Sequence, residues 1–309
     1  VSILLELDPH KGYFIIFLAY FSFSSVGFKT QITPISSNHL DIKLNPAPIL
    51  LNSITIKTVD ALDIMKRMVA SIPDNYDTSA ARLTAFYREF MKLSADTISY
   101  NESVLDIYKA PAYKPNHPDQ IKLLKGRKMK FDQHGDPLLY NWMTNITNTA
   151  YSSLMEDIQR FPEAPKSVIN PDNFRDYSYT YEGILEEGNM NLLIIAFAPR
   201  QGNRRALVQG RLYLDESSLA IVKAEWTTTP AGVSYVNKHG KGGLGYKLST
   251  ISVKATFDFT KISLVINYKQ YQGKWYLNGI QRHWNMVVNS PRRNMTDVPW
   301  DGKFTMQVT

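Results

Sequence analysis

Residues Lys11–Thr30 read KGYFIIFLAYFSFSSVGFKT. By hydropathy, Gly12–Phe28 approach a membrane span. By pattern, they are a strand, a short link and a second strand. A helix that crosses a bilayer needs about 20 apolar residues; this run is shorter, and Ser22, Ser24 and Ser25 crowd its second half. Phe21 and Phe23 alternate with Ser22 and Ser24, which is the period of two that marks a strand. Its aromatic residues (Tyr13, Phe14, Phe17, Tyr20, Phe21, Phe23, Phe28) also favour strand over helix. A secretory leader fits poorly, since no basic stretch precedes the run and no small-residue cleavage site follows it. The expectation is two strands at the edge of a β-sandwich.

Composition bounds what surrounds this stretch. A chain of 309 residues has room for two domains, and 44% apolar with 20% charged residues is globular. Aromatic residues at 12% suit a β-rich chain. The absence of cysteine excludes disulfides, thiolate zinc sites and cysteine nucleophiles. A net charge of +7 favours anionic surfaces without requiring nucleic acid.

Asp8, Gly12 and Phe14, the box Phe23–Phe28 (FSSVGF), and then Leu44 and Pro46 form a recognisable series. Residues 1 to about 56 resemble the second half of the transthyretin-like, carboxypeptidase-type regulatory domain of Bacteroidota envelope proteins. Two departures stand out: the turn after Asp8 has an extra residue, and the first strands of that domain are missing. The resemblance therefore implies a partial β-sandwich over 1–58, a truncated form of the domain, with a helical linker over 59–80. Phe86-Tyr87-Arg88-Glu89, then Glu102 and Val104–Tyr108, resemble boxes that commonly follow it. The family implies a place in the cell envelope, periplasmic or associated with the outer membrane. It also implies an envelope protein partner docked through the half-sandwich.

The rest of the chain reads as one helix and many strands. Asp60 caps a helix over Ala61–Ile72, with Ile64, Met65, Met68, Val69 and Ile72 on one face and Pro73 as its stop. Strands are expected over 83–93, 97–109 and 120–131, and a helix over 147–160. After Asp176 come strands at 177–181, 191–198, 205–215, 219–228, 252–260, 262–271 and 274–288, joined by short polar turns. The expected fold is mainly β with some helix (α+β). It combines the partial β-sandwich with a larger curved antiparallel sheet or half-barrel over 81–309. Gly210–Trp226 (GRLYLDESSLAIVKAEW) resembles a repeating unit of lipoprotein-carrier-like half-barrels.

Chemistry is sparse in this sequence. None of the six histidines begins an HxxE, and no HExxH is present, so no zinc peptidase site is expected. Gly240–Gly245 fits GxGxxG but leads into a strand, where a phosphate-cradling loop needs a helix. No GxSxG elbow occurs. Glu186/Glu187 and Asp215/Glu216 sit at hairpin turns, where acidic residues are ordinary. Lys122, Lys125, Arg127, Lys128 and Lys130 read as a solvated strand, with peripheral contact to anionic lipid next and nucleic acid last. Tyr179, Tyr181, Phe197, Tyr213, Trp226 and Trp275 can line the concave face of a curved sheet and hold a ligand, although such residues are more often plain core. The reading is a non-enzymatic envelope protein with a binding or structural role. It holds a lipid-like or glycan ligand, or a protein partner, and needs no catalytic residue, metal or cofactor. Two alternatives are an accessory segment of an outer-membrane transport system and a hydrolase whose site is assembled from scattered residues.

Overall fold

Alternating apolar and polar residues recur from Ala81 to Val308, and they fold into one large sheet. The computed structural model describes residues 20–23, 29, 31–34, 43, 45, 59–77, 79–110, 119–129, 139, 146–157, 167–203, 207–239, 251 and 253–309. Two short strands, β1 (Tyr20–Phe23) and β2 (Gln31–Pro34), pair antiparallel with Phe21 opposite Thr33. The remainder of the expected sandwich, including Phe14, Phe17, Leu44 and Pro46, lies outside the described residues, as does the Gly240–Gly245 loop.

The main sheet has ten strands: β3 (Ala81–Leu93), β4 (Asp96–Lys109), β5 (Gln120–Lys128), β6 (Tyr177–Glu187), β7 (Met190–Pro199), β8 (Val208–Asp215), β9 (Ile221–Thr228), β10 (Thr256–Tyr271), β11 (Lys274–Ser290) and β12 (Met295–Val308). Its order is β5-β4-β3-β12-β11-β10-β9-β8-β7-β6, antiparallel throughout. This is a circular meander opened between β5 and β6. The protein is mainly β, and its sheet is open.

Residues directly opposite each other share a face, so the register traces rows across the sheet. One row runs Tyr181, Ile195, Leu212, Ala224, Ile266, Ile280, Met306, Tyr87, Ser103 and Gly126. From Ile195 to Ser103 every member is buried. This is the inner face. The outer face carries charge: Arg211, Glu225, Arg88, Glu102 and Arg127 lie in one row, with Val265, Gln281 and Thr305 between. Here Arg211 binds Glu182 at 2.6 Å, and Arg88 and Arg127 both bind Glu102, at 2.8 and 2.5 Å.

Helix α1 (Ala61–Asn75) packs on the inner face against β6 and β11. The Asp60 carboxylate accepts from the Leu62 and Asp63 N–H groups and caps it as the sequence predicts. Its apolar stripe of Ile64, Met65, Met68 and Ile72 is buried. The helix read as a linker contributes its apolar stripe to the core against the sheet. It also runs past Pro73 to Asn75. The Asn75 amide donates to Ser71 Oγ and to the Ser218 carbonyl and so holds the last turn. Tyr76 then anchors the helix end: its hydroxyl exchanges hydrogen bonds with the Ile221 carbonyl and N–H, at 3.0 and 2.7 Å.

Helix α2 (Ile146–Leu154) packs against β5, β11 and β12, and α3 (Pro230–His239) against β9 and β10. Two further differences from the sequence reading concern strands. The strands expected at 252–260 and 262–271 are one strand, β10, with an irregularity between Phe259 and Lys261. There the Asn237 side-chain amide of α3 takes the place of a strand neighbour, bonding both the Phe259 N–H and its carbonyl at 2.8 Å. β12 was not expected at all, and it fills the gap between β11 and β3.

Candidate functional site

The two ends of the inner face differ. At the end beneath the C-terminus of α1, Leu214, Ile221, Tyr268, Trp275 and Leu277 are all buried. At the other end several aromatic residues are only half-buried: Tyr179, Tyr181, Trp226, Phe259 and Trp284. Strand alternation puts them there. Trp284 follows Ile280 and Arg282 along the inner side of β11, and Trp300, Gly302, Phe304 and Met306 follow one another along β12.

Four of these rings form a cluster. Trp284 meets Phe259 edge-on at 5.4 Å, Phe304 at 5.0 Å and Trp300 at 6.4 Å between centroids. Gly302 makes room for it: a β-carbon there would stand 2.3 Å from the Trp300 ring. The Nε1 atoms of Trp284 and Trp300 are buried, and neither has an acceptor among the described residues.

A buried polar group adjoins the cluster. The Arg282 guanidinium lies over the Trp284 ring at 4.0 Å and the Phe304 ring at 5.0 Å. It donates to Ser152 Oγ of α2 at 2.9 Å and approaches Glu156 to 4.0 Å. Burial pulls its pKa down to about 10, against the attraction of Glu156, Tyr87 and Glu89. Burial likewise pushes the Glu156 carboxyl up, with Arg282 opposing. Along the same row Phe304 lies opposite Glu89, and Glu89 opposite Asn101. The Asn101 amide donates to Glu89 and to Ser99 Oγ, and the Tyr87 hydroxyl donates to Glu89. Arg282 therefore carries the positive charge of a region that also holds two carboxylates.

A second buried ionic group ties α2 down. Lys109 Nζ lies 2.5 Å from Asp157 and 4.0 Å from Asp119, and the Tyr268 hydroxyl donates to Asp157 at 2.5 Å.

The sequence-predicted ligand residues divide. Tyr179 and Phe197 are directly opposed across β6 and β7, and Tyr181 is the next inner residue of β6. Trp226 lies on the same row as Phe197, with Gly210 between them. The Tyr179 hydroxyl is engaged by the Val168 carbonyl at 2.9 Å, its ring packs edge-on against Phe174, and burial raises its pKa. Trp275 is on the inner face but at the sealed end, facing Tyr76. Tyr213 is on the outer face: it is opposite Lys223, whose ammonium sits over its ring, and it donates to Glu225 at 2.8 Å. Burial raises the Tyr213 pKa, and the bond to Glu225 adds to this. Arg282, Glu89, Trp284, Trp300 and Phe304 are not among the ligand residues read from the sequence.

Among the described residues no three His, Asp or Glu side chains are grouped to hold a metal ion, and no helix is long and apolar enough to cross a membrane. No protein-family profile matches the chain, and neither does any curated protein. Solved structures similar to it include a DUF1329 family protein from Desulfovibrio piger, at 11% identity over 81% of this chain and 90% of that one, with a TM-score of 0.29. A putative outer membrane lipoprotein-sorting protein domain from Vibrio parahaemolyticus matches at 10% identity over 81% and 90%, with a TM-score of 0.25. A LolA superfamily protein from Nitrosomonas europaea matches at 10% identity over 81% and 94%, also with a TM-score of 0.25. At scores this low the likeness is noted, and the site's reading rests on its own geometry.

Proposed function

We propose that this is a non-enzymatic binding protein of the cell envelope, and that it holds a hydrophobic ligand on the inner face of its sheet. The observation that carries the reading is the open aromatic end. There, half-buried rings surround two buried indole N–H groups that have no acceptor among the described residues, beside a buried arginine. An apolar chain would cover the rings. A carbonyl, carboxylate or other oxygen at its end would accept from the indoles. Ligand sites are commonly apolar and aromatic with a few such polar groups. In this reading the ten-stranded sheet curves as a half-barrel, with α1 sealing one end and α2 covering the polar group. Envelope placement, and a partial regulatory sandwich over residues 1–58, rest on the sequence resemblance.

Native mass spectrometry of the purified protein would show a retained lipid. A brominated fatty acid, whose chain quenches nearby indoles, should quench tryptophan emission saturably in the delipidated protein. Trp284→Phe should lower the quenched fraction and weaken binding several-fold. No retained lipid together with no saturable quenching would end this reading.

A further inference from the structure

The sheet ends in two edges of opposite charge. β5 reads QIKLLKGRK, with Lys122, Lys125, Arg127 and Lys128 and no carboxylate. β6 reads YSYTYEGILEE, with Glu182, Glu186 and Glu187 and no cation. β5 is exposed along almost its whole length, and Leu123 and Leu124 each keep 52% of their surface. On β6, Ile184 is exposed between Glu182 and Glu186. An edge strand offers unpaired backbone groups to any other strand, and lysines usually guard it. Guarding accounts for the cations on β5. It does not account for two exposed leucines there, nor for a carboxylate set at the opposite edge.

Every neighbouring pair in the sheet is antiparallel, and β5 and β6 stand nine steps apart in the strand order, so they run in opposite directions. A β6 laid beside a β5 would therefore continue the antiparallel pattern with the inner faces on one side. Each edge also carries one irregularity, between Val104 and Leu105 opposite β5 and between Tyr181 and Gly183 in β6. Past the irregularity in β6 the alternation shifts, so successive outer positions are Lys122, Lys125 and Arg127 on β5, and Glu187, Leu185 and Glu182 on β6. In antiparallel register Lys122 then faces Glu187, and Arg127 faces Glu182. Arg127 already holds Glu102, and Glu182 already holds Arg211. The new contact would join two existing ion pairs into one network.

We infer that the partner of the β5 edge is the β6 edge of a second copy of this chain. Two β5 edges would oppose cations, and two β6 edges would oppose carboxylates; like charges facing each other across strands are destabilising. Face-to-face pairing of identical edges is thereby disfavoured, and the contact is head-to-tail. Such a contact leaves one free edge at each end of the assembly, so it grows with concentration unless it closes into a ring.

The chain has no cysteine, so single thiols report the contact cleanly. Gly126 and Ile184 are the inner positions that face each other in this register, so Gly126→Cys chains with one tag should be mixed with Ile184→Cys chains carrying another, under mild oxidation. A disulfide joining the two tags is expected, with little of either self-linked species. Sedimentation velocity should show association that rises with concentration. Lys122→Glu with Arg127→Glu should weaken it by about fivefold or more, and mixing that chain with one carrying Glu182→Lys and Glu187→Lys should restore it. A monomer at every concentration would overturn the inference. So would a chain carrying both cysteines that links only within itself, which would mean that the sheet closes on itself. Binding of β5 to anionic lipid vesicles with no self-association would assign that edge to a membrane surface instead.

Discussion

The Arg282 guanidinium lies 4.0 Å from the centroid of the Trp284 ring, two residues along the same strand and on the same inner face. With a pKa of about 10 it is charged at neutral pH. Its folded value lies below the ordinary arginine range, so burial of the charge costs stability below about pH 10, and the cost is relieved as pH rises from there towards the ordinary value. Removing the cation is nevertheless predicted to be worse than keeping it, since Glu89 and Glu156 would lose their positive neighbour. Arg282→Met should destabilise the protein by about 3–5 kcal/mol in urea unfolding. Adding Glu156→Gln should recover part of that loss. Equal stability of Arg282→Met and parent would show that the charge has no structural role.

Asp157 is the hinge of the second ionic group, since it meets both Lys109 and Tyr268. Tyr268→Phe removes one hydrogen bond to a buried carboxylate and should cost about 1–3 kcal/mol. Among the described residues, Asp157→Ala leaves Lys109 with the 4.0 Å approach to Asp119 and should cost more, about 3–5 kcal/mol. Hydrogen exchange should then quicken first in α2, which lies just before Asp157. Unchanged exchange there would show that α2 is held by something else.

Asp215 closes the turn from β8 to β9. Burial pushes its carboxyl up, but bonds from Ser217 Oγ at 2.6 Å and from the Ser218 Oγ and N–H, at 2.6 and 2.8 Å, hold it below the ordinary range. A folded pKa below the unfolded one adds stability above the unfolded value, near 3.8, which is lost as pH falls through the folded value. Asp215→Asn should therefore lower Tm at neutral pH, and the gap from parent should narrow under acid. A gap that stays constant down to pH 2 would contradict the assignment.

Gly210 sits between Phe197 and Trp226, where a β-carbon would stand 1.9 Å from the Glu225 carbonyl oxygen. That neighbour is backbone and cannot rotate away. Gly210→Ala should cost at least about 1–3 kcal/mol and should disturb Trp226 emission, because the pairing of β8 with β9 must shift. Wild-type stability with an unchanged spectrum would mean that the strands part more easily than their register implies.

Much of the sheet was legible, because alternation and turn chemistry are local. The runs at 177–199 and 208–228 and the polar turns between their strands stand close to where the pattern put them. Tyr213 shows a rule available but not followed: in Arg211-Leu212-Tyr213-Leu214 the leucines mark the buried side, so Tyr213 belongs with Arg211 outside. Arg282 shows the converse. It lies within Gln281-Arg282-His283, a polar run that hides its position, yet Ile280, Trp284, Met286 and Val288 continue its side of the strand. What no local pattern carries is the pairing of β3 with β12, or the burial of α1, since both depend on contacts between distant parts of the chain. β12 escaped notice because Pro299 and Gly302 interrupt a strand whose inner residues are Trp300, Phe304 and Met306.

The place of β12 has a consequence for how the molecule is made. Within the sheet, it is the strand that joins the β3–β5 block to the β6–β11 block. A ribosome delivers these residues last among the strands. Until Met295–Val308 emerge, β3 and β11 each keep a raw side, and the inner rows are cut in two. Contacts between residues so far apart in sequence form slowly, and unpaired strands invite wrong partners meanwhile. Assembly should therefore show a late, cooperative step set by one strand, and a chaperone that shields β3 and β11 would act in that interval.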